Sequence, residues 1–354
     1  MNEILFLVIT SFLFLVLLVW GLRSLPEERW QILAVIPVKK EAQGYWRGSN
    51  LTFYGFLIAG ATATATLFGL ILLQSAAMYL PGVLAVFLLI FAVCLPASKL
   101  LAGIIEKKLH TFTVGGAFFC GLLFAPWAIV TVNSGLRALD IPELDLLVVL
   151  AALAISYVLG EGLGRLACVS FGCCYGKPLK DCHYLTQKIF SNWAVVFTGA
   201  TKKVAYEGGL EGEKLIPIQG LTCTLFTITA LISTYLFLQG HSLAALLLCL
   251  IVSQLWRFIS ETMRADFRGF GRISVYQKMS LIALPYAGAI AFFAPTATLP
   301  LPAISQGLSI FMQPTPMISV QLLWVLIFFF FGRSMVTSAT VSFQLAPFVN
   351  NDKI

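Results

Sequence analysis

Polar positions along this chain are bunched, and the stretches between the bunches are almost purely apolar. Uninterrupted apolar windows fall near residues 4–22, 51–73, 82–98, 112–132, 146–164, 218–238, 243–262, 279–294 and 317–331. Each has about the 17–25 residues that cross roughly 30 Å of hydrocarbon as helix. The pattern predicts nine helices and an all-α polytopic membrane protein. Ile4 to Leu22 follows Glu3, with no basic start before it and no small-residue cleavage site after it, so it reads as a retained span rather than a signal peptide.

Composition agrees. Of 354 residues, 59% are hydrophobic, only 11% are charged and 29 are Phe, too little polar surface to cover a soluble globule of this size. Nothing in the sequence calls for nucleic acid as a partner. Four connecting segments, 23–50, 99–110, 165–215 and 264–278, hold 19 of the 23 Lys and Arg, whereas the opposite loops carry only Arg137. The positive-inside rule makes the basic side cytoplasmic, and setting topology is the plain explanation of most of these charges.

Charges within the apolar windows need another account. Arg257 and Glu261 lie four apart with Arg264 three further on, on one helical face; Glu161 and Arg165 repeat the four-residue spacing on another span. Charges at this depth face one another or a polar cavity. Structural ion pairs are one reading. The other is an anion cavity opening to one membrane face, with Arg268 and Arg272 nearby. Arginine suits phosphate because its planar fork donates two parallel hydrogen bonds and stays charged.

Cys168, Cys173, Cys174 and Cys182 with His183 place four thiols and an imidazole within sixteen residues. The spacing lacks the paired C-x2-C knuckle of zinc sites, so no metal ligand is assigned and no cofactor is expected. A disulfide, or thiol redox chemistry at Cys173 and Cys174, are the other chemical readings. Packing is the reading for Cys94, Cys120, Cys223 and Cys249. Gly172 and Gly176 point to a tight turn.

Five segments in order resemble the prolipoprotein diacylglyceryl transferase family: LTFYGF (51–56), TVGGAFFCG (113–121), GRLACVSFGCCYG (164–176), IPIQ (216–219), and RFISETMRADFRG followed by ISVYQKMSL. The resemblance covers roughly residues 51–294. With the apolar windows it gives a seven-helix core over 51–294 that includes a small polar head at 175–215, expected to pack over the site. An extra helix with a polar linker precedes the core (1–50), and an extra helix and tail follow it (295–354).

The resemblance also implies an activity: transfer of a diacylglyceryl group from an anionic phospholipid such as phosphatidylglycerol to an acceptor, with a lipoprotein precursor as partner. Tyr54, Gly115, Gly116, Arg165, Gly172, Arg257 and Glu261 land on family site positions. Arg165 and Arg257 are expected to stabilise the leaving phosphate. Glu161 and Glu261 are expected to orient them or take a proton, with His183 a further base. Tyr54, Gly115, Gly116, Gly172, Tyr175, Arg264 and Gln277 fall on the substrate side. The family's histidine falls on Val114, its signature asparagine on Cys168 and its glutamate on Cys173, while Leu221 and Thr222 replace a tyrosine and a glutamate. The alternative is a non-catalytic relative that binds or translocates anionic lipid. The family implies a bacterial inner-membrane protein with a periplasmic site, opposite to the positive-inside expectation.

Overall fold

Helix α1 (Glu3–Ser24) starts where the Asn2 side chain accepts the Ile4 N–H, and it runs apolar to Ser24. The computed structural model describes residues 2–106, 113–266, 273–293 and 300–344. After α1 come strands β1 (Ile32–Lys40) and β2 (Trp46–Thr52), then α2 (Phe53–Ser75), α3 (Leu80–Glu106), α4 (Val114–Ala138) and α5 (Leu146–Phe171). Two short helices, α6 (Tyr184–Phe190) and α7 (Lys203–Tyr206), belong to the polar segment. Then follow α8 (Ile218–Leu238), α9 (Ser242–Met263), α10 (Val275–Phe293), the short α11 (Ile304–Gly307), α12 (Pro314–Gly332) and β3 (Arg333–Val341).

Among the described residues nine helices are long, one for each apolar window, and eight are long and apolar enough to cross a membrane. The ninth is α10, whose first turns hold Gln277 and Lys278. The chain is therefore an all-α polytopic membrane protein in its spans, with α1 and α12 flanking the seven helices between them.

Local chemistry sets the helix ends that matter for the site. Thr52, Thr113 and Asp145 each accept a backbone N–H three residues on, starting α2, α4 and α5. Gly172, at φ 70°, ends α5 in a left-handed cap with Cys173 N–H donating back to Cys168 O at 3.0 Å. Helix α5 is the axis of the bundle, packed by α2, α8 and α9, and 78% of its span is buried. Small residues allow this closeness. A Cβ at Gly69 would lie 2.3 Å from Ser156 Oγ, and one at Gly162 would lie 3.0 Å from Phe226 Cβ.

The all-helical expectation omits a sheet. Strands β1, β2 and β3 pair antiparallel in that order, joining the linker after α1 to the segment after α12. Strand β2 passes directly into α2 and β3 leaves α12 directly, so the two helix ends meet: Thr52 Oγ1 donates to Gly332 O at 3.0 Å. A Cβ at Gly55 would lie 2.1 Å from Gly332 Cα. The stretch expected as a polar linker before the core holds the ILAVI run, Ile32 to Ile36, and that run pairs in β1.

The polar segment after α5 folds down onto the bundle. The buried Lys202 donates to Leu25 O at 3.1 Å and Ser170 O at 2.7 Å, tying it to the C-terminal ends of α1 and α5. Those carbonyls carry the negative end of each helix dipole, which suits an ammonium.

Candidate functional site

Tyr157, Glu161 and Arg165 follow one another at four-residue spacing along α5, so they line one face of its last turns. Because most of α5 is covered by its neighbours, the charges on that face are largely shielded from bulk water and need partners within the protein. They find them. Glu161 takes Arg165 Nη2 on one carboxylate oxygen at 2.5 Å and Arg257 Nη2 on the other at 2.5 Å. Tyr157 Oη hydrogen-bonds the same oxygen and accepts from Arg257 Nη2 at 2.6 Å. Phe118 stacks on Tyr157 with ring centroids 3.9 Å apart. A single carboxylate thus fixes two guanidiniums, and the Nε of each is buried without a hydrogen-bond partner.

This cluster borders a cavity of about 310 Å³ between the ends of α2, α4, α5, α9 and α12. Six cations line it, Lys99, Arg165, Lys203, Arg257, Arg264 and Arg333, against three carboxylates, Glu161, Glu261 and Asp266. The cations on the head side are paired: Arg264 with Asp266 at 2.8 Å and Glu261 at 3.5 Å, and Lys203 with Glu207 at 3.3 Å. Burial opposes the Arg264 charge, yet its thiol and carboxylate neighbours hold its proton well above the ordinary range once α9 has ended. The described lining has an excess of positive charge, so a bound anion is the natural complement.

Tyr54, Gly115, Arg165, Arg257, Glu161, Glu261 and Arg264 all border this cavity, at one end of the bundle. Gly115 has a steric reason to lack a side chain, since a Cβ there would lie 2.3 Å from Arg257 Nη1. Arg257 pairs across helices with Glu161, whereas Glu261, its neighbour in sequence spacing, meets Arg264 and accepts from Ser274 Oγ at 3.3 Å.

Other sequence-predicted residues stand back from the cavity wall. Gly116 packs against Leu101, and Gly172 caps α5 against Lys202. Gln277 folds back on Ser274 N–H and donates to Phe258 O at 3.1 Å. Tyr175, expected on the substrate side, is only 3% exposed and lies under Gly208 of the polar head, where burial pushes its hydroxyl up to about 12. His183 is at the N-terminus of α6, accepting Leu185 N–H, away from the cavity. Arg268 and Arg272 lie outside the described residues.

The sequence reading missed several wall residues. Tyr157 was counted as part of an apolar span, although its four-residue step to Glu161 was a usable signal. Phe329, Phe330, Phe331 and Arg333 come from α12 and β3, placed here by the sheet. Past Tyr54, Glu161, Arg165 and Cys168, the cavity continues into a cleft of about 290 Å³ between α2, α3, α4 and α5, whose walls are almost wholly apolar, including Ile58, Phe87, Phe91, Leu95 and Phe118. A cationic chamber opening into an apolar cleft has the chemical profile of a site for an anionic amphiphile.

No curated protein matches the chain. The family model described as prolipoprotein diacylglyceryl transferase matches residues 45–294, which takes in α2 to α10 and every charged residue of the buried cluster. Over most of its length, then, this membrane-embedded chain belongs to the prolipoprotein diacylglyceryl transferase family.

Proposed function

We propose that the protein transfers a diacylglyceryl group from phosphatidylglycerol to the thiol of a lipoprotein-precursor cysteine in a bacterial inner membrane. The observation that supports this most directly is the junction of the two guanidiniums on Glu161 with the apolar cleft. The head phosphate of an anionic lipid sits against Arg165 and Arg257 while its acyl chains occupy the cleft.

In this reading the acceptor sulfur attacks the glyceryl carbon attached to the phosphate. The C–S bond forms, the C–O bond breaks, and glycerol phosphate leaves with the electron pair. Charge builds on the departing phosphate, and two pre-positioned arginines in a water-poor site stabilise it as it forms. Glu161 is an orienting group here, both of its oxygens being engaged by arginine. Glu261, on the cavity wall, is the proton acceptor for the thiol. Tyr54 faces the lipid head at the mouth of the cleft.

A binding-only relative is the competing reading, supported by Val114 on the cavity wall where the family has a histidine. Purified protein given labelled phosphatidylglycerol and a peptide bearing a lipoprotein cysteine separates the two. Release of glycerol phosphate with lipid appearing on the peptide supports transfer. Lipid binding with neither product would sink the transferase reading and leave the binding one.

A further inference from the structure

One feature of the cavity wall is not used by this chemistry. The thiols of Cys168, Cys173 and Cys174 all lie within 4.8 Å of one another and line the same cavity as Arg165 and Arg264. We propose that they form a metal site for a thiophilic d10 ion of the Zn2+ class, bound by three thiolates with one coordination position open to the cavity.

The sequence lacks the paired C-x2-C knuckle of zinc sites, and in extended or helical backbone the side chains of adjacent cysteines diverge. Here the backbone does not continue either form. Cys168 is in the last turn of α5, Gly172 reverses the chain at φ 70°, and Cys174 is itself left-handed at φ 56°. That double reversal turns both members of the adjacent pair back toward Cys168. Zinc–sulfur bonds of about 2.3 Å separate thiolates by roughly 3.8–4.0 Å in tetrahedral or trigonal arrangements. Sulfurs already within 4.8 Å reach that spacing by small side-chain rotations. Cys182 and His183, which the sequence set beside them, are not in the group.

The turn is held in place. Gln219 Nε2 donates to Cys173 O at 2.9 Å, and Ala265 N–H donates to Tyr175 O at 3.1 Å. Lys177 N–H donates to Met263 O at 3.0 Å. The thiols are therefore presented by a braced segment rather than a loose loop, which lowers the ordering cost of ligation.

Charge favours the same conclusion. Binding a divalent ion releases three thiol protons to water and forms three metal–sulfur bonds, leaving a complex of net charge −1. Arg165, Arg264 and Lys203 on the cavity wall surround that negative charge, where they would oppose a bare cation. Soft thiolates select zinc or copper(I) over magnesium or calcium. Three protein ligands leave zinc a fourth position, open to water or to a phosphate oxygen in the cavity.

The inference does not depend on the transferase reading, since metal content is measured without lipid turnover. The test uses full-length protein purified in detergent without chelators, analysed for metal and then titrated with Cd2+ as an optical probe. Near-stoichiometric zinc is expected, with one Cd2+ per chain giving a thiolate-to-metal absorption band. Cys168→Ser and Cys173→Ser should weaken Cd2+ binding by at least roughly the 10–100-fold that loss of an outer-shell partner alone costs. Cys182→Ser and Cys249→Ser should leave it unchanged. Should the ligand variants fail to fold, alkylation of the unaltered protein decides: Cd2+ should protect the peptides holding Cys168, Cys173 and Cys174 together, as read by mass spectrometry. A band that survives Cys173→Ser, alkylation unaffected by Cd2+, or a disulfide among these three cysteines in the purified protein would each overturn the proposal.

Discussion

Two arginine–glutamate pairs sit at opposite ends of the helix bundle and look alike as contacts. At the end of α4, Arg137 grips Glu143 with two hydrogen bonds of 2.8 and 2.9 Å. On α5, Arg165 meets Glu161 at 2.5 Å. The first pair is 73% and 42% exposed, the second 14% and 3%. Water screens the first, so its contribution is small. The second is held where an unpaired charge is costly, and a second arginine is crowded onto the same carboxylate. A lone pair would satisfy Glu161. The extra guanidinium leaves an excess of positive charge beside an apolar cleft, and that excess marks the second region as a site.

The sharpest test of the comparison removes members of the buried cluster. Arg165→Gln and Arg257→Gln should each lower lipid turnover by about 10²–10³-fold, the typical loss when one preorganised transition-state donor is removed. Lysine at either position should recover only part of it, because it lacks the fork. Glu161→Gln should also lose turnover. In addition it should destabilise the fold by about 3–5 kcal/mol, because two buried guanidiniums then face each other without a counter-charge. Glycerol phosphate release and thermal unfolding in detergent measure the two effects separately. Full turnover in both Arg165→Gln and Arg257→Gln would end the arginine-clamp account.

A smaller effect is expected from Gly115→Ala. Its new Cβ would meet Arg257 Nη1 at 2.3 Å, so the guanidinium must shift while its charge and its partner remain. Misplacement of a catalytic group by about 1 Å costs on the order of 10²-fold in rate, with folding near normal. If the variant turned over lipid at the full rate, the position of Arg257 would matter less than its charge.

How much of this was legible in the sequence follows from the range of each interaction. Windows such as 146–164 announce themselves because a span is a local property of about 20 residues. The site pairs were half legible: the Glu161–Arg165 spacing was readable, but Arg257 was assigned to Glu261 on its own helix when its partner lies on α5. Periodicity gives faces, not which faces meet. The β2–β3 half of the sheet was illegible for the same reason, since β2 residue Ser49 pairs with Ser338 across nearly the whole chain. With the sheet went the aromatic wall from α12. Cys173 and Cys174 show a third limit, because their convergence depends on two left-handed backbone positions and only one of those is a glycine.

Lys202 extends the comparison to a buried charge whose hydrogen bonds, among the described residues, go to backbone carbonyls. Burial pushes its ammonium down from the usual 10.5 to about 8, with Glu28 opposing weakly. The neutral amine still has two N–H groups for Leu25 O and Ser170 O, so both bonds survive deprotonation. Between pH 8 and 10.5 the unfolded chain binds the proton more tightly, so this residue's contribution to stability rises with pH across that window. Lys202→Met should lose about 1–3 kcal/mol by leaving two buried carbonyls without their donor, and it should remove that rise. A thermal-unfolding series from pH 7 to pH 10 on both proteins reads the two effects. An unchanged pH profile in the methionine variant would show that another group titrates.

The smallest effect belongs to the exposed pair with which the comparison began. Arg137 and Glu143 have well-formed bidentate geometry, and the Arg137 hydrogen bond holds the Glu143 carboxyl below its ordinary range. Geometry of that quality in the buried cluster would signal function. At the surface, the entropy lost in fixing two long side chains and the screening by salt offset most of the attraction. Arg137→Gln and Glu143→Gln should therefore leave lipid turnover and unfolding temperature indistinguishable from the unaltered protein, at low salt and high. A loss of turnover in Arg137→Gln comparable to that in Arg165→Gln would break the comparison at its root. It would mean that burial is not what separates the two ends, and that the distal end of the bundle communicates with the cavity along α4, whose first turn carries Gly115.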